Sequence, residues 1–253
     1  KQAMAFTFIM QNIAANLGGM VTPFGNPQNL FLYAFYNIDT VEFVSIMFPS
    51  FITSIILISG ICCFVRPIPL ALKSDDHLSL DVRLTVIYSL LFIASILIVF
   101  RVIPYLLGTI LITLILFFLD KKALKGVNYP LLATFAAFFV FSGNMARIPA
   151  VNEFFSKVLP MNTLLFGILS CQFISNVPSA VLLSHFTDNY QFLLPAVNIG
   201  GCGTLIASLA SLITFSEFKK HNPTEIRTYL LKFTIINFSF VIILYLLQSW
   251  IQL

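Results

Sequence analysis

Two stretches rich in Gly, Pro and Asn interrupt the long apolar runs of this chain, and both follow one pattern. The first runs from Asn16 to Asn29 and reads NLGGMVTPFGNPQN, and the second runs from Asn198 to Ser211 and reads NIGGCGTLIASLAS. An Asn, two Gly and a Thr recur at a constant offset of 182 residues, without a gap. Such residues persist at membrane depth only where the opened backbone faces protein or a water-filled cavity. We therefore expect two broken helices whose breaks meet at one site.

The apolar runs between the polar positions predict helices throughout, so the expected fold is all-α. A crossing of the bilayer needs roughly 20 residues; the runs 43–65 and 229–251 reach this length, and the pair 84–100 and 105–119 is short for two full spans. The segment from 161 to 174 is too short to cross and is followed by the break Ser175-Asn176-Val177-Pro178, which favours a re-entrant hairpin. The predicted elements are a first broken helix over 4–15 and 30–36, spanning helices over 43–65, 84–100, 105–119, 129–142 and 229–251, a hairpin over about 161–186 and a second broken helix over about 192–216.

Composition supports a polytopic membrane protein. The 253 residues are 58% hydrophobic and 9% charged, with a mean hydropathy of +0.95, whereas soluble domains carry about 25% charged residues. The lipid bilayer is thus the first expected partner. The sequence shows no nucleotide-phosphate loop, no zinc-ligand spacing and no basic-aromatic patch. We therefore expect no metal, no nucleic acid and no cofactor other than a coupling ion.

The basic residues predict an orientation. When the predicted helices alternate sides and the hairpin returns to its own side, ten Lys and Arg fall on one side and three on the other, Lys1 aside. The basic side is cytoplasmic by the positive-inside rule, which places the linker 66–83 inside and Leu253 outside, in a bacterial inner membrane. The two broken helices then run in opposite senses. This is an inverted repeat, with 1–65 as the end of the first repeat and 84–253 as the second.

The spacing of the breaks predicts that an upstream part precedes this chain. The hairpin break begins 23 residues before Asn198, and its counterpart in the first repeat would fall before residue 1. Lys1 is also not a start methionine. We expect the chain to be truncated at its N-terminus.

The breaks carry the chemistry of a neutral binding site. Unwinding frees carbonyl oxygens for cations and N–H groups at half-helix N-termini for anions, and Asn, Ser and Thr side chains add neutral donors and acceptors. The polar side chains at the breaks are Asn16, Thr22, Asn26, Asn29, Ser175, Asn176, Asn198, Thr204 and Ser208. All of these except Ser208, together with the flanking Pro23 and Pro178, form the predicted substrate-binding set.

The positions of the acidic residues bear on which ions the protein could carry. All ten Asp and Glu lie in predicted loops or at helix ends, and none lies in the middle of a span. Proton pumps and exchangers carry carboxylates within the membrane. The pattern therefore favours an anion held by neutral groups, with a coupled cation.

The motifs at Asn16–Asn29, at Ser175-Asn176-Val177-Pro178 and at Asn198–Thr204 resemble the ion transporter superfamily, which includes divalent anion:sodium symporters, citrate transporters and arsenite permeases. The resemblance covers essentially the whole chain and implies secondary active transport of a small anion, such as citrate or succinate, coupled to Na⁺ or H⁺. It also implies a homodimer, and an elevator motion of the domain that carries the hairpin.

The resemblance further implies which residues hold the cation. In the sodium symporters the hairpin tip reads Ser-Asn-Thr and contacts both substrate and sodium, so Ser175 and Asn176 carry over while Val177 replaces the threonine. This replacement favours the broader anion or arsenite-like branch. Sodium lies against the backbone of the broken helices in the superfamily, and the corresponding positions here are Gly18, Gly19, Gly200 and Gly201.

Three alternatives to a carboxylate transporter remain open from the sequence. The first is a permease for arsenite or another inorganic oxyanion. The second is an intramembrane enzyme, for which Ser175 and His185 are the one candidate pair; we predict no enzyme and no catalytic residue. The third is a membrane scaffold that transports nothing.

Overall fold

The computed structural model describes residues 2–65 and 81–251, all of them helical or in connecting turns and loops. Most of the predicted linker 66–83 lies outside these residues. The helices are α1 (Gln2–Gly18), α2 (Pro27–Phe35), α3 (Thr40–Cys63), α4 (Val82–Val99), α5 (Tyr105–Leu119), α6 (Lys121–Lys125), α7 (Tyr129–Met145), α8 (Pro149–Val158), α9 (Thr163–Ile174), α10 (Asn176–Leu183), α11 (Tyr190–Ile199), α12 (Leu209–His221) and α13 (Ile226–Ile251).

Length and hydropathy identify the helices that can cross a bilayer. Four helical stretches of the described chain qualify: Met4–Val21, Thr40–Cys63, Val82–Val99 and Pro223–Ile251. Helices α7 and α8 qualify as a pair bent by 91°, and α5 and α9 are shorter apolar helices. The prediction of an all-α polytopic membrane protein is confirmed.

Capping side chains explain where several helices begin. Asp81 accepts hydrogen bonds from the backbone N–H groups of Arg83 and Leu84, so α4 begins inside the predicted linker. Asn162 accepts one from Leu165 at the start of α9. Each cap satisfies donors that the first helical turn leaves open. These local bonds shift helix starts by a few residues from the hydropathy pattern.

Two segments differ from the predicted boundaries for identifiable reasons. The arm of the hairpin that follows the break starts at Asn176 and not near 179, because Pro178 lies in the first helical turn, where its missing N–H is not needed. Helix α12 continues to His221, beyond the predicted end at 216, with Lys219, Lys220 and His221 in its last turn. Cations are favourable at a helix C-terminus.

The described chain divides into two compact units. One comprises the described residues of Lys1–Cys62 and Ala133–Leu253 and contains both broken helices and the hairpin, and the other comprises the described residues of Cys63–Leu132. In the first unit α9 packs on α10 and α11, α1 packs on α12 and α13, and α2 packs on α10 and α11. In the second unit α4 packs on α5, where Gly108 lies against Ile98 and Ile103 and leaves no room for a side chain.

Polar side chains join helices inside the first unit. Ser50 of α3 donates to Gln248 Oε1 of α13 at 2.8 Å, and both residues are buried. Asn12 of α1 donates to Asn237 Oδ1 of α13 at 3.5 Å. Hydrogen bonds between membrane helices contribute about 0.6 kcal/mol each. The Asn12–Asn237 bond also restrains the rotation of α1, and with it the direction of the broken end of α1.

Candidate functional site

The first break lies between α1 and α2. Helix α1 ends at Gly18, a single 3₁₀ turn covers Gly19–Val21, and Thr22 and Asn26 are extended. The amide nitrogen of Asn29 lies 3.2 Å from Gly19 O, 3.1 Å from Met20 O and 3.2 Å from Thr22 O. The buried side chain of Asn29 therefore donates to three carbonyls that the break leaves without a helical N–H partner.

The second break lies between α11 and α12. Helix α11 ends at Ile199, Gly203 has a φ of +113°, and a 3₁₀ turn covers Leu205–Ala207. Ser208 then caps α12 by accepting from the Ser211 N–H at 3.2 Å. A positive φ is readily adopted only by glycine. The path of the backbone therefore requires a glycine at position 203 of this break.

The two breaks lie against each other and run antiparallel. Asn16 of the first donates to Ser208 Oγ of the second at 2.9 Å, and Asn26 of the first donates to Asn198 Oδ1 of the second at 3.3 Å. The offset of 182 residues maps Asn16 onto Asn198 and Asn26 onto Ser208. The two bonds are therefore one contact seen twice, with the repeats exchanged, as an inverted repeat requires.

Asn198 is the centre of this junction. Its amide nitrogen donates to Asn29 Oδ1 at 2.6 Å and to Leu194 O at 2.8 Å. Its oxygen accepts from Gln28 at 3.2 Å and from Asn26. Asn198 is 1% exposed. Three bonds from one buried amide therefore join α11 to the start of α2.

The hairpin tip reaches the second break. Ser175 links α9 to α10 with φ 75° and ψ 157°, and its hydroxyl donates to Ala207 O at 3.3 Å. Asn176 is 5% exposed, and its Oδ1 accepts from the Val177 N–H at 2.9 Å. The N-terminus of α10 therefore lies beside Ser208, at the N-terminus of α12. Helix N-termini attract negative charge.

Gly201 lies where the three segments approach one another closely. A Cβ at this residue would lie 2.9 Å from Asn176 Nδ2 and 3.6 Å from Asn16 Oδ1. The Asn176 nitrogen and the Asn16 oxygen have no hydrogen-bond partner among the described residues, although the remaining amide atom of each side chain is bonded. An open donor and an open acceptor thus converge where a ligand would complete them.

Some predicted residues serve the walls of the site. Pro23 and Pro178 are buried beside the breaks, and Thr204 donates from its hydroxyl to Gln172 O at 3.0 Å. Gly19 is enclosed by Asn26 and Gly25, and Gly200 lies against Ala196 O and the thiol of Cys171. These residues shape the breaks without facing Gly201.

Gly18 faces elsewhere. A Cβ at this position would meet nothing within 4 Å, because Gly18 lines a separate cavity of about 230 Å³ with Ser54 and Ser59 of α3. Among the four glycines of the predicted cation set, the structure therefore brings Gly19, Gly200 and Gly201 to the breaks and turns Gly18 toward α3.

The predicted set omitted three polar residues that complete the site, of which Asn12 and Gln28 are buried and Gln172 is half-buried. Gln172 of α9 bonds to the second break, Gln28 of α2 donates to Asn198, and Asn12 of α1 accepts from Asn16 at 3.3 Å and from Ser211 at 3.2 Å. The available signal was a polar side chain in an apolar helix within one turn of a break.

A second polar cluster closes the outer end of the hairpin. The Tyr36 hydroxyl donates to Ser184 O at 3.3 Å and to Thr187 O at 2.5 Å, and Tyr190 donates to Glu42 Oε1 at 2.7 Å. Tyr36 thus ties the end of α2 to the end of α10.

The backbone at Ser175 leads to a stability prediction. Its φ and ψ lie in a region that is essentially restricted to glycine and costs of order 1–3 kcal/mol for other residues. We expect Ser175→Gly to be more stable than Ser175→Ala by about 1 kcal/mol. The measurement is the apparent unfolding temperature of the purified protein in detergent.

The exposed Ser239 of α13 provides the matched control. In a helix, alanine is more stable than glycine by about 1 kcal/mol, so Ser239→Ala should exceed Ser239→Gly. The order of the two substitutions must reverse between the sites. The same order at both would show that the Ser175 backbone is not strained.

Comparisons with known proteins agree with this architecture. The citrate transporter family matches residues 4–192, a range that includes the first break and the hairpin and ends before Asn198. An uncharacterized transporter of Methanocaldococcus jannaschii is 39% identical over 206 residues, which cover 81% of this chain and 56% of that protein. The inner membrane protein YbiR of Escherichia coli is 28% identical over 218 residues, with the same coverage of 81% and 56%.

The chain thus spans 56% of the length of these curated relatives. No solved structure matches it. The family match covers about three quarters of the sequence and includes the residues that form the first break and the hairpin tip. The chain is an integral membrane protein and belongs to the citrate transporter family.

Proposed function

We propose that this chain is part of a secondary active transporter that moves a small anion, a di- or tricarboxylate such as citrate or succinate, together with Na⁺ or H⁺. One observation supports the anion above all: the amide nitrogen of Asn176 is an open donor at a position that is 95% buried, beside the N-termini of α10 and α12. The fully enclosed side-chain polar atoms without a partner in the described chain are Ser142 Oγ and Tyr229 OH, so the Asn176 nitrogen keeps some access to solvent or to a ligand. A carboxylate near Gly201 would accept from this nitrogen.

The neutral surroundings fit an anion that arrives with a cation. The described residues of both breaks and the hairpin tip contain no Asp, Glu, Lys, Arg or His. A bound anion therefore meets no positively charged side chain. A cation held on nearby oxygens would balance the negative charge of the anion. The Asn16 oxygen is an acceptor without a partner near Gly201, and the carbonyl oxygens of Gly19, Gly200 and Gly201, each of which already accepts from one side-chain amide, lie at the breaks.

Val177 supports a second candidate, the transport of arsenite or another inorganic oxyanion. Its side chain is 9% exposed and apolar, and it lies directly after Asn176 at the hairpin tip. A hydroxyl at this position would add a donor for a second carboxylate oxygen. Without it, the tip offers fewer donors and suits a smaller ligand.

The kind of membrane, the orientation and the oligomeric state belong to the same proposal. We place the protein in a bacterial inner membrane with Leu253 outside, because of the ten-to-three division of basic residues; the name of the YbiR relative as an inner membrane protein is in line with this. We also propose a homodimer, which the superfamily resemblance implies.

Uptake into proteoliposomes tests the proposal. The complete gene product that contains this chain is reconstituted, and labelled citrate and succinate are supplied with and without an inward Na⁺ gradient, and then with a proton gradient. We expect gradient-driven uptake that Asn176→Ala lowers at least about tenfold, the effect of losing one buried charge-assisted hydrogen bond.

Asn152 of α8 provides the control, because it is exposed and bonds only to Ser156 of its own helix in the described structure. Asn152→Ala should transport like the unchanged protein. Uptake of arsenite in place of either carboxylate would support the second candidate. Absence of uptake for every anion by a folded protein would contradict the transport proposal.

A further inference from the structure

Gln172, on the first arm of the hairpin, is bonded to the second break along its length. Its amide nitrogen donates to Gly200 O at 2.9 Å and to Cys202 O at 3.1 Å, and its oxygen accepts from the Thr204 N–H at 2.8 Å. These three partners are alternate residues of the turn segment that follows α11. A single side chain from α9 therefore satisfies the backbone groups that the end of α11 leaves open.

Two further features tie the same pair of segments together. The Thr204 hydroxyl donates to the backbone oxygen of Gln172 at 3.0 Å. The position that a Cβ would occupy on Gly203 is filled by the Gln172 side chain. The positive φ of Gly203 and the close approach of Gln172 thus belong to one arrangement, in which the break is folded around an amide.

The first break shows the same solution with another residue. Asn29 Nδ2 donates to the carbonyls of Gly19, Met20 and Thr22, and the offset of 182 maps Met20 onto Cys202. The two amides come from unrelated positions, one from within the broken helix and one from the hairpin. Both breaks therefore need a planar donor among their carbonyls, which indicates a requirement of the site and not an accident of packing.

We propose that Gln172 is a positioning residue of the transport site. It holds residues 200–204 in the conformation that turns Gly201 toward Asn176 and Asn16, and it does not itself contact the transported anion. This inference rests on the transport function proposed above. The hairpin then has two roles: α9 shapes the second break, and the tip at Asn176 faces the ligand.

Replacement of Gln172 by glutamate gives a selective test. The substitution keeps the shape of the side chain but removes both N–H donors and sets a carboxylate oxygen against the Gly200 and Cys202 carbonyls. At about pH 7.5 we expect uptake at least about tenfold below that of the unchanged protein, because acceptors then face acceptors. At about pH 5.5 a protonated carboxyl regains one donor, and uptake relative to the unchanged protein should rise several-fold.

The surroundings add few other titrating groups. Helix α9 packs on α10, α11, the 3₁₀ turn of the break and α13, and none of the titratable side chains on these elements bonds to the Gln172 amide in the described structure. Those on α9, the break, α11 and α13 are Cys171, Cys202, Tyr190, Tyr229, Tyr245, Arg227 and Lys232. Gln172→Leu, which cannot take up a proton, should show no recovery at the lower pH.

A thiol provides a readout that does not depend on transport. Cys202 is fully buried and its carbonyl is one of the Gln172 partners. In a protein with Cys62, Cys63 and Cys171 replaced by serine, maleimide should label Cys202 slowly. We expect Gln172→Leu to raise the labelled fraction at both pH values, and Gln172→Glu to raise it at about pH 7.5 more than at about pH 5.5, each relative to the same protein in denaturant.

The exposed Gln11 of α1 supplies the matched control, since Gln11→Glu makes the same chemical change away from the breaks. Uptake by Gln172→Glu that follows the unchanged protein at both pH values, with Cys202 still protected, would overturn the inference. If the unchanged protein takes up no anion, the transport function fails. Cys202 labelling then still decides whether Gln172 holds the break.

Discussion

Asn198→Leu will leave the protein unable to hold its two broken helices together. Leucine fills a similar volume but leaves Asn29 Oδ1 and the Gln28 amide nitrogen without the partner they have in the structure, whereas Asn26 keeps its bond to Asn16 O and Leu194 O stays in the helical ladder of α11. Each buried group left unpaired costs about 1–3 kcal/mol. Two such groups together cost about 2–6 kcal/mol, a large share of the stability of a typical domain, which is about 5–15 kcal/mol.

The measurement is the yield of monodisperse protein in detergent and its apparent unfolding temperature. Asn152→Leu is the control, because it makes the same change on the exposed face of α8. Asn198→Asp separates shape from hydrogen bonding, since it keeps an acceptor for Gln28 but loses the donor to Asn29. We expect the order of stability Asn198, then Asp, then Leu. A leucine variant as stable as the unchanged protein would contradict the central role of Asn198.

Gly201→Ala should abolish uptake while leaving the fold intact. The added methyl would lie 2.9 Å from Asn176 Nδ2, 3.2 Å from Asn198 O and 3.6 Å from Asn16 Oδ1, so it would lie between the open donor and the open acceptor. A ligand displaced by about 1 Å loses its geometry, which can cost about a hundredfold in rate. We therefore expect at least that loss in citrate or succinate uptake.

Gly60→Ala is the matched substitution, because a Cβ at Gly60 of α3 meets nothing within 4 Å. It should leave both uptake and stability close to those of the unchanged protein. The unfolding temperature of Gly201→Ala should fall only slightly, since the neighbouring amide of Asn176 can move. Uptake by Gly201→Ala at the unchanged rate would show that the ligand binds elsewhere.

The sequence predicted the outline of the site because broken membrane helices have a strong local signal. Gly, Pro and Asn in apolar surroundings are costly unless the backbone opens toward protein or water, so Asn16, Asn198 and Ser175 were recognisable without a structure. The shared offset also paired the two breaks, and it relates the Asn16–Ser208 and Asn26–Asn198 contacts to each other; the inverted repeat stays a prediction.

Helix ends were predicted less well. The start of α4 depends on the side chain of Asp81, and the start of the second hairpin arm on the tolerance of a helix N-terminus for Pro178. Both depend on bonds or missing donors of a single turn, which a hydropathy window averages away. The orientation of the helices across the membrane stays a prediction from the distribution of basic residues.

By itself the sequence determined the class of this protein: its hydropathy demands a bilayer, and its paired breaks demand buried polar chemistry. Only the tertiary structure decided what each polar group does. Asn29 and Gln172 satisfy carbonyls, Asn198 joins the repeats, and Asn176 alone of these points an open donor at Gly201. The physical reason is that a buried amide is used up by whichever groups lie within about 3 Å of it, and those neighbours come from segments far apart in the chain.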